Sequence, residues 1–142
     1  MKSQIFHTDS EEETIALGEK LAAELPSHTV VLLIGQLGAG KTTLAKGIVK
    51  GLCAARPEDV SSPTFTLIHE YSPSVYHIDL YRLDTAAQVA TLGLDEIFDR
   101  RAVVLIEWGE RFPELMPKQR IEIRLRALEE NSREIEVRST MK

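Results

Sequence analysis

The chain of 142 residues contains a single cysteine, Cys53. One thiol cannot close an intrachain disulfide or build a cysteine-based zinc site, so a disulfide scaffold and a zinc ribbon are both excluded. Cys53 falls in or just after a helical stretch and is expected as a small core residue. Positive charge is also short. The formal charge is −5 and the sequence pI about 5.4, which argues against a broad electrostatic grip on nucleic acid and leaves room only for a local basic patch. No apolar run is long enough to cross a bilayer. The opening Met1-Lys2-Ser3-Gln4-Ile5-Phe6 leads into acidic residues without the apolar stretch of a signal peptide. The expected setting is therefore a reducing cytoplasm with no membrane contact. No repeat, linker or low-complexity tract interrupts the chain, and residues 1–142 read as one domain.

What is present centres on Gly35–Thr42, Gly-Gln-Leu-Gly-Ala-Gly-Lys-Thr. This is the G-x-x-x-x-G-K-[ST] pattern of a phosphate-binding loop. An apolar run, Thr29 to Ile34, enters it as a buried strand, and a helical stretch from Lys41 to Leu52 leaves it. The glycines at 35, 38 and 40 are expected to take backbone angles that a Cβ forbids, turning successive N–H groups toward an anion. The N-terminus of the following helix adds its partial positive charge. Lys41 would reach the β- and γ-phosphates of a nucleotide, and Thr42 would offer its hydroxyl to Mg²⁺.

Around this loop the pattern alternates between strands and helices. Ile5-Phe6 suits a short edge strand. Ser10 and Glu13 form a capping box ahead of a helix whose Leu17, Leu21 and Leu25 share one face, with Pro26 as its stop. Phe65–Tyr71 and Val75–Tyr81 read as strands around a Ser-Pro-Ser turn, an antiparallel hairpin. Thr85–Leu92 and Leu94–Phe98 are short helices. Ala102–Ile106 is apolar without alternation, a strand buried on both faces. Gly109–Leu115 is a polar helical segment. Ile121–Arg126 and Ile135–Arg138 alternate strictly around Glu129–Ser132, a second hairpin. The expected fold class is α/β, a P-loop NTPase-like three-layer sandwich with a mainly parallel sheet, an antiparallel hairpin on each side, and the site at the C-terminal ends of the parallel strands.

Further candidates follow from position. Glu107 ends the apolar strand, where a carboxylate can hold Mg²⁺ directly or through water. Asp79, between Ile78 and Leu80, either orients the attacking water or lies exposed and paired with Arg82. Thr64, behind Pro63, either senses a γ-phosphate or completes a turn. Trp108 either packs in the core or borders the nucleotide. The acidic run Glu11–Glu13 favours a helix start, with a lid near the nucleotide as the alternative. His7, His28, His69 and His77 have no metal-ligand spacing and read as structural or surface residues.

Taken together, Gly35–Thr43, Ser62-Pro63-Thr64-Phe65, His77-Ile78-Asp79-Leu80-Tyr81-Arg82 and Ile106-Glu107-Trp108 resemble the small bacterial ATPase family of tRNA threonylcarbamoyladenosine biosynthesis. The resemblance runs from Thr8 to about Arg138. It implies a cytoplasmic ATPase, weak alone, that binds ATP and ADP with Mg²⁺. It also implies a heterodimeric threonylcarbamoyl-transferase partner acting on adenosine 37 of tRNA, with hydrolysis resetting the complex and tRNA met only through it. By the same resemblance Gly35, Leu37, Gly38, Ala39, Gly40, Lys41, Thr42 and Thr43 surround the phosphates, and Thr42 and Glu107 serve the metal. Asp79 and Trp108 lie at the site, and Asp9-Ser10-Glu11 and Arg133 are further nucleotide contacts. The family usually carries an acidic residue where this chain has Gln36, so any role of that acid is in doubt here. A P-loop small-molecule kinase is the main alternative; it needs an acceptor pocket and a basic lid, and 111–118 is too short and mixed for one. A GTPase would need Asn-Lys-x-Asp, and Asn131 is the only asparagine. A nucleotide-gated binding module, in which turnover is incidental, is the remaining reading.

Overall fold

The computed structural model describes residues 3–60 and 67–139. Its described strands form a seven-stranded sheet in the order β1-β7-β6-β2-β5-β4-β3. They are β1 (Ser3–Thr8), β2 (Thr29–Ile34), β3 (Ile68–Ser72), β4 (Val75–Asp79), β5 (Val103–Glu107), β6 (Ile121–Ala127) and β7 (Arg133–Ser139). The four central strands, β6, β2, β5 and β4, run parallel. Antiparallel pairing closes both sides: β3 on β4, and β7 on β6 with β1 beyond it. The expected parallel centre flanked by two hairpins is the observed sheet.

The apolar runs at the centre require cover on both faces, and they receive it. Residues 29–33 of β2 are buried, as is all of β5. On one face, Val31, Leu33, Leu105 and Ile123 pack against α1 (Glu11–Ala22) and α2 (Lys41–Gly51), whose Leu44 and Ile48 are fully buried. Burial of each of those two side chains contributes about 2 kcal/mol. On the other face, Val30, Leu32, Ile78, Val104 and Ile106 pack with Val89 of α3 (Ala86–Ala90) and Ile97 of α4 (Leu94–Phe98). The period of two along each strand divides its apolar residues between these cores.

Local chemistry sets the element ends. Ser10 Oγ accepts from Glu13 N–H at 3.1 Å, but Glu13 returns its carboxylate to Asp9 N–H at 2.8 Å, one residue ahead of the cap. The helix stops at Ala22, well before Pro26; Leu25 is half-buried against the α1–α2 side of the core. Thr85 and Gln88 form a full capping box on α3, which is shorter than the expected 85–92. The segment after β5 is two 3₁₀ turns, Gly109–Arg111 and Pro113–Leu115, separated by Phe112. The strand expected from Phe65 is described only from Ile68, and 61–66 lie outside the described residues. Cys53 is exposed rather than in the core, because the chain leaves α2 there through a left-handed residue, φ 60°.

The α1–α2 contact is a glycine crossing. A Cβ on Gly47 would lie 2.0 Å from Ile15 O, and one on Gly18 would lie 2.6 Å from Leu44 O. Both obstacles are backbone and cannot rotate away. Gly47→Ala gains up to about 1 kcal/mol in helix propensity but must push the helices apart. The expected net loss is about 2 kcal/mol or more, read as a lower urea midpoint.

Candidate functional site

The strand order places the loop after β2 beside a topological switch. The chain leaves β2 toward β5, β4 and β3, then returns to its other side as β6. A crevice opens at such a point, at the carboxyl ends of the strands. Here it is a cleft of about 450 Å³, walled by the 37–43 loop and helix start, the ends of β4 and β5, the start of α1 and the β6–β7 turn.

The loop takes its shape from two left-handed glycines, Gly38 (φ 82°) and Gly40 (φ 104°). Gly35 is not in that region. Its missing side chain matters because a Cβ would stand 2.7 Å from Leu125 O of β6. Gly40 is the N-cap of α2 and offers no side-chain cap, so the first amide N–H groups of the helix have no intrahelical acceptor and point beyond its end. Arg133, the first residue of β7 and part of the cleft lining, grips the loop through its carbonyls. Its Nε donates to Ala39 O at 3.0 Å and its Nη2 to Gly38 O at 3.3 Å, while Nη1 donates to Ser132 O at 2.9 Å. The C=O and N–H of a trans peptide point in opposite directions. Holding the Ala39 carbonyl toward Arg133 therefore turns the Gly40 N–H away from that side chain.

Lys41 begins α2 and is only 5% exposed. Its Nζ donates to Gly35 O at 2.7 Å and lies 3.4 Å from the centroid of the Trp108 ring. Burial pushes the ammonium below its usual range, opposed by the carboxylates of Glu107, Glu110 and Asp79. Trp108 has φ 68°, a costly angle for a bulky residue. It faces the cleft beside Tyr81, with ring centroids 5.2 Å apart. It lines the cleft and is also packed, half-buried, against the core on the Leu32 and Ile106 face of the sheet.

Two carboxylates close the floor. Asp79 and Glu107 end adjacent parallel strands and stand opposite one another in register. Both are buried, at 2% and 3% exposure, so the exposed strand-face reading of Asp79 does not hold. Asp79 Oδ1 accepts from Tyr81 N–H at 2.8 Å. Glu107 Oε2 accepts from the Thr42 hydroxyl at 3.2 Å and from His77 Nε2 at 2.6 Å. Among the described residues no group of three His, Cys, Asp or Glu forms a metal cluster by itself.

Ser10, Leu37, Gly38, Gly40, Lys41, Thr42, Thr43, Asp79, Glu107, Trp108 and Arg133 thus line one cleft. Gly35 and Ala39 shape the loop from its other side, where they border a second depression with β6. Thr64 lies outside the described residues. The helix start at Ser10 is tied to the β6–β7 turn through Ser132 Oγ, which donates to Asp9 Oδ1 at 2.9 Å. Residue-by-residue reading missed Thr14, Tyr81 and Asn131 in the lining, and His77 and Glu110 beside it. The period of two on β4 was the available signal for His77 and Tyr81, since each stands two residues from Asp79.

Fold and loop define the class: an α/β protein with a P-loop at the switch point of its sheet. The family model described as Threonylcarbamoyl adenosine biosynthesis protein TsaE matches residues 8–135, and the chain belongs to that family. Proteins named tRNA threonylcarbamoyladenosine biosynthesis protein TsaE are similar to it. The Bacillus subtilis protein is 41% identical over 138 residues, 95% of this chain and 85% of its own length. The Nostoc protein is 42% identical, again with 95% and 85% covered. The crystal structure of Bacillus subtilis YdiB superposes with a TM-score of 0.79 at 34% identity, over 98% of this chain and 86% of that one. No helix among the described residues is long and apolar enough to cross a membrane.

Glu110, in the 3₁₀ turn after Trp108, has a buried Oε1 without a hydrogen-bond partner among the described residues. Burial raises its carboxyl above the usual range, partly opposed by its own backbone N–H and by Lys41, Arg124 and Arg111. A raised folded-state value means the folded protein holds this proton more tightly than the unfolded chain. Ionisation of Glu110 then opposes folding, by nothing below the ordinary glutamate range and fully above the raised value. Glu110→Gln should therefore raise the melting temperature at neutral pH, and the gain should vanish in acid. Thermal melts of both proteins across that range check it.

Proposed function

We propose that this protein is the ATP-binding and ATP-hydrolysing component of the machinery that installs the threonylcarbamoyl group on adenosine 37 of tRNA. In this reading it acts as a nucleotide-dependent switch on a threonylcarbamoyl-transferase heterodimer and meets tRNA only through that complex. Its place in the pathway rests on family membership. The observation that carries the nucleotide chemistry is the convergence of Lys41, Thr42, Asp79 and Glu107 on one cleft at the mouth of the P-loop.

The residues present fit a Mg²⁺-bound nucleotide. Thr42 Oγ1 and the Glu107 carboxylate are oxygen donors within 3.2 Å of each other. Mg²⁺ is commonly held by one or two such protein oxygens, completed by water and phosphate. When bound, it would neutralise charge on the phosphates. The chain's own residues would do the rest. The N–H groups of Gly40, Lys41, Thr42 and Thr43 cradle the phosphates. Lys41 exchanges the Trp108 face and the Gly35 carbonyl for the β- and γ-phosphate oxygens, where its fixed charge favours the transition state. Asp79 accepts a hydrogen bond from the attacking water and orients it toward the γ-phosphorus, giving ADP and phosphate. Ser10 and Arg133 also line the cleft. Arg133 serves the loop's shape through its carbonyls, which is where this reading departs from direct nucleotide contact by that residue.

Lys41→Ala should lower ATP turnover by on the order of a hundredfold while the protein stays folded; unchanged turnover in the folded variant would defeat the P-loop mechanism. Asp79→Ala should mainly lower kcat, and Glu107→Ala should weaken Mg·ATP binding more than metal-free nucleotide binding. Phosphate release measured over a range of ATP and Mg²⁺ separates the two.

Trp108, the only tryptophan, supplies an independent signal. A cation 3.4 Å above its ring is an attraction worth about 2 kcal/mol when desolvated. Phosphate binding should draw Lys41 from it and change indole emission. Saturating Mg·ADP, with binding established by calorimetry, is expected to shift Trp108 fluorescence, and Lys41→Met should abolish most of that shift.

A further inference from the structure

His77 is the one fully buried side chain among the four histidines of the sequence, and no step described above uses it. It lies in β4 two residues before Asp79, on the same strand face. Its Nε2 is 2.6 Å from Glu107 Oε2, the oxygen that also accepts the Thr42 hydroxyl. A carboxylate only accepts, so Nε2 carries the hydrogen. The opposite nitrogen, Nδ1, is buried and meets no hydrogen-bond partner among the described residues.

The bond has a geometric consequence. Asp79 and Glu107 stand opposite each other at neighbouring strand ends, two carboxylates that like charge would splay apart. His77 is anchored deeper in the sheet, opposite Leu105 in the same register. It holds Glu107 Oε2, the same oxygen that meets the Thr42 hydroxyl.

We propose that His77 is a positioning residue. As the Nε2–H tautomer it fixes the Glu107 carboxylate against Thr42, and so sets how strongly the site takes the divalent cation that accompanies a nucleotide. The proposal rests on reading the cleft as a Mg·nucleotide site. Outer partners of metal-binding side chains commonly carry ten- to hundredfold in metal affinity.

The test is the ratio of ADP affinities with and without Mg²⁺, measured by calorimetry on the full chain. His77→Phe, shown folded by near-ultraviolet circular dichroism, should keep its metal-free ADP affinity within about twofold. It should lose about tenfold or more of the gain that Mg²⁺ confers, and His77→Gln, which keeps an N–H, should recover part of it. A packing role alone would not separate the two affinities. A wild-type ratio in folded His77→Phe overturns the proposal and leaves the nucleotide reading intact. Absence of ADP binding by the wild-type protein overturns both. Should His77→Phe fail to fold, the ¹⁵N shifts of the wild-type imidazole decide. An Nε2–H tautomer whose Nε2 signal moves when Mg²⁺ joins bound ADP supports the proposal. An Nδ1–H tautomer, or an Nε2 signal indifferent to Mg²⁺, overturns it.

Discussion

Buried charge must be partnered, and that requirement organises the mouth of the sheet. Lys41, Asp79 and Glu107 are each at most 5% exposed. In a medium this dry an isolated ion is costly enough that the fold would otherwise neutralise or expel it. None of the three stands alone. Lys41 meets the Gly35 carbonyl, the Trp108 face and the field of three carboxylates. Glu107 meets Thr42 and His77, and Asp79 meets the backbone after its own strand. The partners of Lys41 and Glu107 come from other segments, so those two charges are satisfied only when β2, β4, β5 and α2 are all in place. The site and the central fold are one cooperative unit.

The loop itself is stiffened by contacts from β6, β7 and the turn between them. Arg133 occupies the Gly38 and Ala39 carbonyls, Leu125 O leaves no room for a Cβ at Gly35, and the β6–β7 turn is joined to the start of α1 through Asp9 and Ser132. A phosphate-binding loop works by having its N–H groups aimed before the anion arrives. Here the Ala39 carbonyl is held by a side chain 94 residues later in the chain. This gives the C-terminal hairpin a part in the site that its plain alternation of apolar and charged residues does not announce.

Where local chemistry decided the outcome, the sequence was a sufficient guide. The P-loop between a buried strand and a helix, the Ser10 cap, the unbroken apolar run of β5 and the alternating β6–β7 hairpin each follow from composition and spacing over a few residues. The misreadings have tertiary causes. Cys53 looked like a core residue because apolar neighbours precede it, but a left-handed turn carries it outward. Asp79 could be read as exposed because an alternating strand does not say which of its faces meets a helix. Gly35 was grouped with the conformational glycines, whereas β6, distant in sequence, is what requires it to be small.

The sequence by itself determined the class of the fold, the P-loop pattern between β2 and α2 and most of the residues that line the cleft beside it, because loop motif, strand and helix signals are written within short windows. It did not determine the order β6-β2-β5-β4, the pairing of Asp79 with Glu107, the hold of Arg133 on the loop or the bond from His77 to Glu107. Each of those joins residues tens of positions apart through burial. A histidine two residues before an aspartate has no assigned partner until a parallel neighbour strand brings one, and water is gone from around it only once both faces of the sheet are covered.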